Sequence, residues 1–223
     1  MSDLVADRRD FIRRQTILTA PPLTPEIRLH LATEITPIWQ ATEESLARNN
    51  VPPPYWAFAW PGGQALTRYL MDHADWVRGR RVLDFAAGSG LTAIGMAKAG
   101  AASVEAAEID PYAIAAIELN AAANNVAIKV VMEDLVGRGL DADAGRWDVV
   151  LAGDVCYEKP MADRVIAWFR QMAAHGVTIL MGDPGRAYLP GNGLVEVARY
   201  QVPTTLELED RTERETIIWR LMP

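Results

Sequence analysis

Apolar positions recur along this chain with two periods, and the periods take turns. Short runs rich in Val, Leu, Ile and Ala occur at 81–85 (RVLDF), 103–109 (SVEAAEI), 127–132 (AIKVVM), 147–153 (WDVVLAG) and 177–183 (VTILMGD). Each has the length and β-branched content of a buried strand. Between them lie stretches with helical spacing. SGLTAIGMAKAG predicts a helix closed by Gly100, and Asp110 followed by Pro111 predicts a capped helix running to about Asn124. EKPMADRVIAWFRQM predicts a third helix, ending near His175 and Gly176. Strand–helix alternation implies a mostly parallel sheet with helices on both faces. The tail breaks the rhythm. LVEVARYQV and ETIIWRLM read as two strands with no helix between them, which predicts an antiparallel hairpin added to the sheet. Before residue 80 the pattern is mixed. Thr24-Pro25 and Thr36-Pro37 are candidate helix starts, and apolar residues from Gly63 to Val77 follow a helical face.

Composition narrows the class of partner. The chain has 223 residues, half of them hydrophobic, and a net charge of −7. That is enough apolar surface for a substantial core. The negative charge disfavours nucleic acid and favours a basic protein loop or a cationic small molecule. The single cysteine, Cys156, excludes an internal disulfide and suits a reducing compartment. No apolar run is long enough to span a bilayer, so no membrane role is expected. The polar, aspartate-bearing start MSDLVADRRD carries no targeting signal, and a cytoplasmic setting follows. His30, His73 and His175 are scattered without metal-ligand spacing, so no metal site is expected.

The first strand ends in Asp84-Phe85-Ala86-Ala87-Gly88-Ser89-Gly90. Small residues at a strand–helix turn let the backbone come close to a ligand held beyond the strand end. Two ligand classes use such a turn. The fragment GSGLTA satisfies the loose dinucleotide pattern, but Gly88 comes four residues after Asp84 rather than at the strand end. An acid in the strand followed by A-x-G-x-G instead resembles the first motif of class I S-adenosylmethionine-dependent methyltransferases. That cofactor carries an ammonium and a sulfonium, and a carboxylate such as Asp84 suits both. Glu108 closes the next strand, about 20 residues on, where a ribose is held in this architecture. Its carboxylate can accept from both hydroxyls, which leaves Asp110 as the helix cap. Asp134 follows the third strand, where methyltransferases bind the adenine amino group.

Further stretches carry a narrower resemblance. LTPEIRLHL, PYWAFAWPGGQALTRYL, VLDFAAGSG, AEIDPYA, WDVVLAGDVCYE and MGDPGR together resemble the electron transfer flavoprotein beta-subunit lysine methyltransferases. The resemblance implies a Rossmann-like α/β fold with a seven-stranded, mostly parallel sheet and an antiparallel last strand. It implies residues 61–223 as the methyltransferase domain and 1–60 as a helical N-terminal extension that recognises substrate. It implies S-adenosylmethionine as cofactor, S-adenosylhomocysteine as product, and a lysine of the flavoprotein beta subunit as acceptor. A monomer in the bacterial cytoplasm is the expected setting. The cofactor contacts it implies are Trp60, Asp84, Ala86, Gly88, Gly90, Glu108, Asp134 and Gly153. Members of the family often have glycine where Ala86 stands. Alanine there implies an ordinary backbone region or an altered cofactor fit.

The resemblance assigns Asp154 and Tyr157 to its D-x-x-Y motif. At the end of the fourth strand, Asp154 either receives and orients the lysine ammonium or only caps the loop or orients cofactor contacts. Tyr157 is expected to line the lysine channel and hydrogen-bond the amine. A lysine of pKa about 10.4 is neutral only about once in a thousand near pH 7.4, a deficit of about 4 kcal/mol. Burial, a base or a water path must meet part of it. Asp154 alone would aid capture of the ammonium more than its deprotonation. Cys156 reads as buried filler. Arg186, in GDPGR, either clamps a substrate carboxylate, pairs with Asp183, or belongs to a plain turn. Other readings are transfer to another protein such as a ribosomal protein, transfer to a small molecule, and a cofactor-binding protein without catalysis. Asp154-Val155-Cys156-Tyr157 lacks both prolines of the N/D/S-P-P-[YFW] motif found in amino-nucleobase enzymes.

Overall fold

A computed structural model describes residues 2–33, 53–138 and 146–223. The predicted strands form as β3 (Arg81–Phe85), β4 (Ser103–Glu108), β5 (Lys129–Met132), β6 (Val149–Gly153) and β7 (Thr178–Asp183). They follow two short strands, β1 (Ile17–Thr19) and β2 (Leu29–Leu31), and precede β8 (Leu194–Pro203) and β9 (Glu213–Leu221). The helices are α1 (Ser2–Gln15), α2 (Pro61–Asp72), α3 (Leu91–Lys98), α4 (Pro111–Ala123), α5 (Lys159–Ala174) and α6 (Leu206–Glu209). The main sheet has seven strands in the order β5-β4-β3-β6-β7-β9-β8. The first five are parallel, and β9 runs antiparallel to both neighbours. This is the expected architecture, with one refinement. The helical turn α6 lies between β8 and β9, where none was expected.

The strand pleat divides the core. Leu83, Phe85, Val150, Ala152, Ile179 and Met181 face α5, where Phe85 meets the rings of Trp168 and Phe169 at 5.4 and 5.5 Å. Val82, Val149, Leu151 and Leu180 face the other way, into the cluster holding Leu66 and Leu70 of α2 and Met96 of α3. Alternate residues of a strand must part in this way. Strand order turns at β3, with β4 and β5 on one side and β6 and β7 on the other. The open ends of β3, β4 and β6 therefore form the crevice where this architecture binds ligands.

The N-terminal region is less helical than expected. Thr24-Pro25 starts no helix; Thr24 is buried in a turn, its carbonyl accepting from Ile27 N–H at 3.0 Å. Thr36-Pro37 lies outside the described residues. Residues 17–31 instead form the β1–β2 hairpin. Asn120 of α4 and Asn124, the residue that caps its C-terminus, hold it. Asn120 Oδ1 accepts from His30 N–H at 2.8 Å, and Asn124 Oδ1 from Arg28 N–H at 3.0 Å. Buried backbone groups of a short edge hairpin need such partners, and α4 supplies them.

Helix α2 is seated on the sheet through glycines. Gly153 and Gly182 are register partners on β6 and β7, and Gly62 lies against them. A Cβ on Gly182 would come 2.1 Å from the Gly62 oxygen, and one on Gly62 would come 2.2 Å from the Gly182 oxygen. Backbone atoms cannot yield as a side chain would. Gly182→Ala should cost about 1–3 kcal/mol, as overpacking does, and lower the melting temperature by several degrees. Gly63→Ala, whose Cβ would meet nothing within 4 Å, should cost nothing in the same melts. Equal melting temperatures for Gly182→Ala and the parent would refute this seating.

Candidate active site

A cavity of about 480 Å³ lies beyond the ends of β3, β4, β5 and β6. Its lining is mainly apolar, with Phe85, Val136, Met161 and Val165 among the walls. Carboxylates stand around it at three successive strand ends: Glu108 and Asp110 after β4, Asp134 after β5 and Asp154 after β6. This size falls in the range of small-molecule sites. Eight of the ten residues expected at the site line it: Trp60, Ala86, Gly88, Glu108, Asp134, Gly153, Asp154 and Tyr157.

Asp84 and Gly90 do not line the cavity. The pleat sends Asp84 to the α3 side of β3, the side of Val82, where it is buried and accepts from Ala93 N–H at 2.8 Å. It acts as a remote cap for α3, whose own cap residue, Gly90, has φ 78° and offers no side chain. Burial pushes the Asp84 carboxyl up to about 7, against the pull of the Ala93 bond. Expecting it at the cofactor's cationic groups is thus corrected: a strand-interior acid follows the pleat.

The turn itself is left-handed. Ala86 has φ 53° and Gly88 φ 53°. Alanine at 86 is therefore not in an ordinary backbone region, and the left-handed well costs a residue with Cβ about 1–2 kcal/mol. Glu108 holds the turn in place. Its Oε1 accepts from Gly88 N–H at 3.1 Å, and its Oε2 from Ile109 N–H at 2.8 Å and Asp110 N–H at 3.3 Å. A carboxylate has about four acceptor positions. One remains on Glu108 for a ligand, and the Gly88 bond is open to exchange. Asp110 caps α4 through Tyr112 N–H at 2.8 Å, as expected, and also borders the cavity. Burial is the main cause that raises its carboxyl to about 6. Asp134 Oδ1 accepts from Val136 N–H at 3.0 Å, and Oδ2 from Arg164 at 3.1 Å.

Asp154 has φ 57° and is 8% exposed. Its N–H donates to the Gly182 oxygen at 3.0 Å, so the glycine seat of α2 fixes its backbone. Oδ2 accepts from Gly63 N–H, in the first turn of α2, at 3.2 Å. Oδ1 accepts twice from Arg186, from Nη2 at 2.7 Å and Nε at 3.1 Å. Three acceptor positions are filled and one is left. Burial raises the carboxyl to about 6, while Arg186 pulls it down. Tyr157, 43% exposed, stands 5.4 Å from Tyr55, ring to ring, and burial of its hydroxyl pushes it up to about 12. Cys156 is fully buried and its thiol is pushed up to about 12, which leaves no thiolate nucleophile.

The sequence reading left Arg186 open and missed Tyr55, both of which line the cavity, and Asn120, which braces the glycine turn. GDPGR does form a turn: Asp183 Oδ1 accepts from Gly185 N–H and Arg186 N–H, both at 2.7 Å. The Arg186 guanidinium then reaches Asp154 and Glu209 rather than the Asp183 carboxylate. It lies 5.6 Å over the Trp60 ring, so the cation facing that ring is a protein group. Asn120 Nδ2 donates to the Ser89 oxygen at 2.8 Å, which couples the glycine turn to the helix that holds β2. The helix-face spacing of Asn120 and Asn124 was the one available signal.

Residues 65–180 match the family model described as ribosomal protein L11 methyltransferase (PrmA). The electron transfer flavoprotein beta subunit lysine methyltransferase of Xenopus laevis is 37% identical over 221 residues, 96% of this chain and 87% of that protein. The Homo sapiens protein of the same name is 34% identical over 220 residues, 96% of this chain and 81% of its own length. Among solved structures, magnesium protoporphyrin IX methyltransferase from Synechocystis PCC 6803 with bound S-adenosylmethionine aligns with a TM-score of 0.52 at 19% identity. The alignment covers 72% of this chain and 78% of that one. At that identity the likeness concerns the fold.

Asp84 gives a pH test. An aspartate in an unfolded chain ionises near 4, and in the fold Asp84 keeps its proton up to about 7. Between those values the folded chain holds a proton that the unfolded chain has released. Its contribution to stability therefore falls as pH rises through this window and is level above it. Asp84→Asn keeps an acceptor for Ala93 N–H and cannot ionise. Its stability relative to the parent, from urea unfolding, should rise between pH 4 and 7 and then stay constant. A difference that does not vary with pH would mean that Asp84 is ionised throughout.

Proposed function

The chain belongs to the electron transfer flavoprotein beta subunit lysine methyltransferase family, and on that premise we propose the acceptor and the residues that serve it. It is an S-adenosylmethionine-dependent methyltransferase. The proposed acceptor is a lysine of the flavoprotein beta subunit. One observation carries the reading: an apolar cavity of about 480 Å³ ringed by Glu108, Asp134 and Asp154. That set of acceptors in an apolar cavity fits a ligand with a flat heterocycle, a diol and cationic groups. The N-terminal residues 1–60 are assigned to substrate recognition, and 61–223 to the catalytic domain.

Bound S-adenosylmethionine supplies an electrophilic methyl group on a sulfonium. Glu108 accepts from the ribose hydroxyls, and Asp134 from the adenine amino group. Ala86 and Gly88 bring the turn close to the amino-acid part, and Gly153 borders it at the β6 end. On the acceptor side, the free lone pair of Asp154 takes one amine N–H and fixes the direction of the nitrogen lone pair. Such orientation is a large part of what a displacement needs. Tyr157 stays a neutral phenol, and with Tyr55 it forms an aromatic wall for the lysine stem. Trp60 closes the far side. Among the described residues no helix is long and apolar enough to cross a membrane. The reading takes the protein as a cytoplasmic monomer that acts on protein rather than nucleic acid.

The match of residues 65–180 to the L11 methyltransferase model makes a ribosomal protein the second candidate acceptor. Relatives aligned over 96% of the chain favour the flavoprotein subunit. With labelled S-adenosylmethionine and a cell extract, mass spectrometry should find the label on lysine of the flavoprotein beta subunit. Label on a ribosomal protein would move the assignment, and label on no protein would overturn it. Asp154→Asn should lower kcat by at least about 100-fold, the order expected when a positioned group is lost. Retained kcat would remove Asp154 from the acceptor site. Glu108→Ala should weaken S-adenosylhomocysteine binding by at least about tenfold in calorimetry, since charge-assisted hydrogen bonds contribute about 1.5–3 kcal/mol each. Unchanged affinity would place the ribose elsewhere.

A further inference from the structure

A lysine must shed its proton before it can accept a methyl group, yet the residue aimed at it is a carboxylate. A bare carboxylate favours the ammonium. The structure resolves this through a chain of charges behind Asp154. Arg186 donates to Asp154 Oδ1 through Nε and Nη2, and to Glu209 through Nη2 at 2.5 Å and Nη1 at 3.2 Å. Glu209, on α6 and 7% exposed, also accepts from Arg214 Nε of β9 at 3.0 Å. Two anions thus face two cations, and all four side chains are largely buried. The Asp-Pro-Gly turn holds Arg186 there.

We propose that Arg186 is a positioning residue that serves as the permanent counter-ion of Asp154, so that the acceptor lysine binds as a neutral amine. This rests on the reading of Asp154 as the acceptor's partner. A buried carboxylate demands a counter-charge. Arginine supplies one that no accessible pH removes. An ammonium entering this chain would make three cations against two anions. A neutral amine donates one N–H to the remaining lone pair of Asp154 and leaves the balance intact. Among the described residues, no other side chain near Asp154 makes a hydrogen bond to these four. Cys156 and Tyr157 are held neutral, their protons retained to about 12. Asp183 stands outside the hydrogen-bonded chain, its Oδ1 bound by the backbone N–H groups of Gly185 and Arg186. From α2 comes only the Gly63 N–H. Across the cavity, Asp134 is paired with Arg164, and Glu108 is bound by three backbone N–H groups.

The test uses the full-chain enzyme, the flavoprotein beta subunit and saturating S-adenosylhomocysteine. Calorimetry at pH 8, in buffers of different ionisation heat, counts the protons released when the acceptor binds. The parent should release close to one proton per acceptor lysine bound, Arg186→Gln markedly fewer, and Arg186→Lys nearly as many as the parent. With S-adenosylmethionine, the kcat–pH profile of Arg186→Gln should move alkaline by about one unit, the lower end of what an adjacent charge produces. Its rate should recover toward the parent's at high pH. Glu209→Gln leaves two cations against one anion and should move the profile the other way. It also decides the matter if Arg186→Gln does not fold. Equal proton release and superposed profiles for these variants and the parent would overturn the proposal. Absence of lysine methylation by the parent enzyme would instead overturn the reading on which it rests.

Discussion

The close seating of α2 on β6 and β7 is the contact on which the rest of the structure depends. Three glycines, at 62, 153 and 182, let helix and sheet backbones meet without side chains between them. The first turn of α2 then lies at the C-terminal ends of the strands. Its free N–H groups point where Asp154 leaves β6, and one of them binds the carboxylate. The Gly182 oxygen takes the Asp154 N–H and holds the residue in its left-handed conformation. A larger residue at any of the three positions would lift α2 away. Trp60, at the start of that helix, would leave the cavity with it.

Electrostatics around the cavity is organised by burial more than by ion pairing. Asp84, Asp110 and Asp154 each have burial as the first cause of a raised carboxyl. They differ in what offsets it. Asp84 and Asp110 are held mainly by backbone N–H groups at helix starts, and Asp154 by a guanidinium. Only the last arrangement supplies a full counter-charge. The acidity legible in the net charge of −7 persists in the cavity wall, but within the hydrogen-bonded chain behind Asp154 two carboxylates meet two guanidiniums.

Much of the sheet was legible because its strands are fully buried and bounded by helix caps. Gly100 and the Asp110-Pro111 pair mark helix ends by local chemistry that tertiary packing leaves intact. The N-terminal hairpin was not legible. Strands of three residues carry almost no periodic signal, and β2 is held by asparagines about 90 residues away in sequence. The helical turn α6 was missed for a related reason: four residues are too few for a helical face. Its Glu209 nevertheless completes the charge chain that starts at Asp154.

By itself, the sequence determined the alternation of elements, the ligand crevice at the β3 end and the acids that close successive strands. All of these follow from local rules of period, cap and turn. Tertiary structure decided where each acid points and what neutralises it. Asp84, two residues from the turn, was turned inward by the pleat. Arg186, 32 residues beyond Asp154, was brought onto it by a strand register and a turn. Charge balance is a property of distances between groups remote in the chain, and no local pattern encodes those distances.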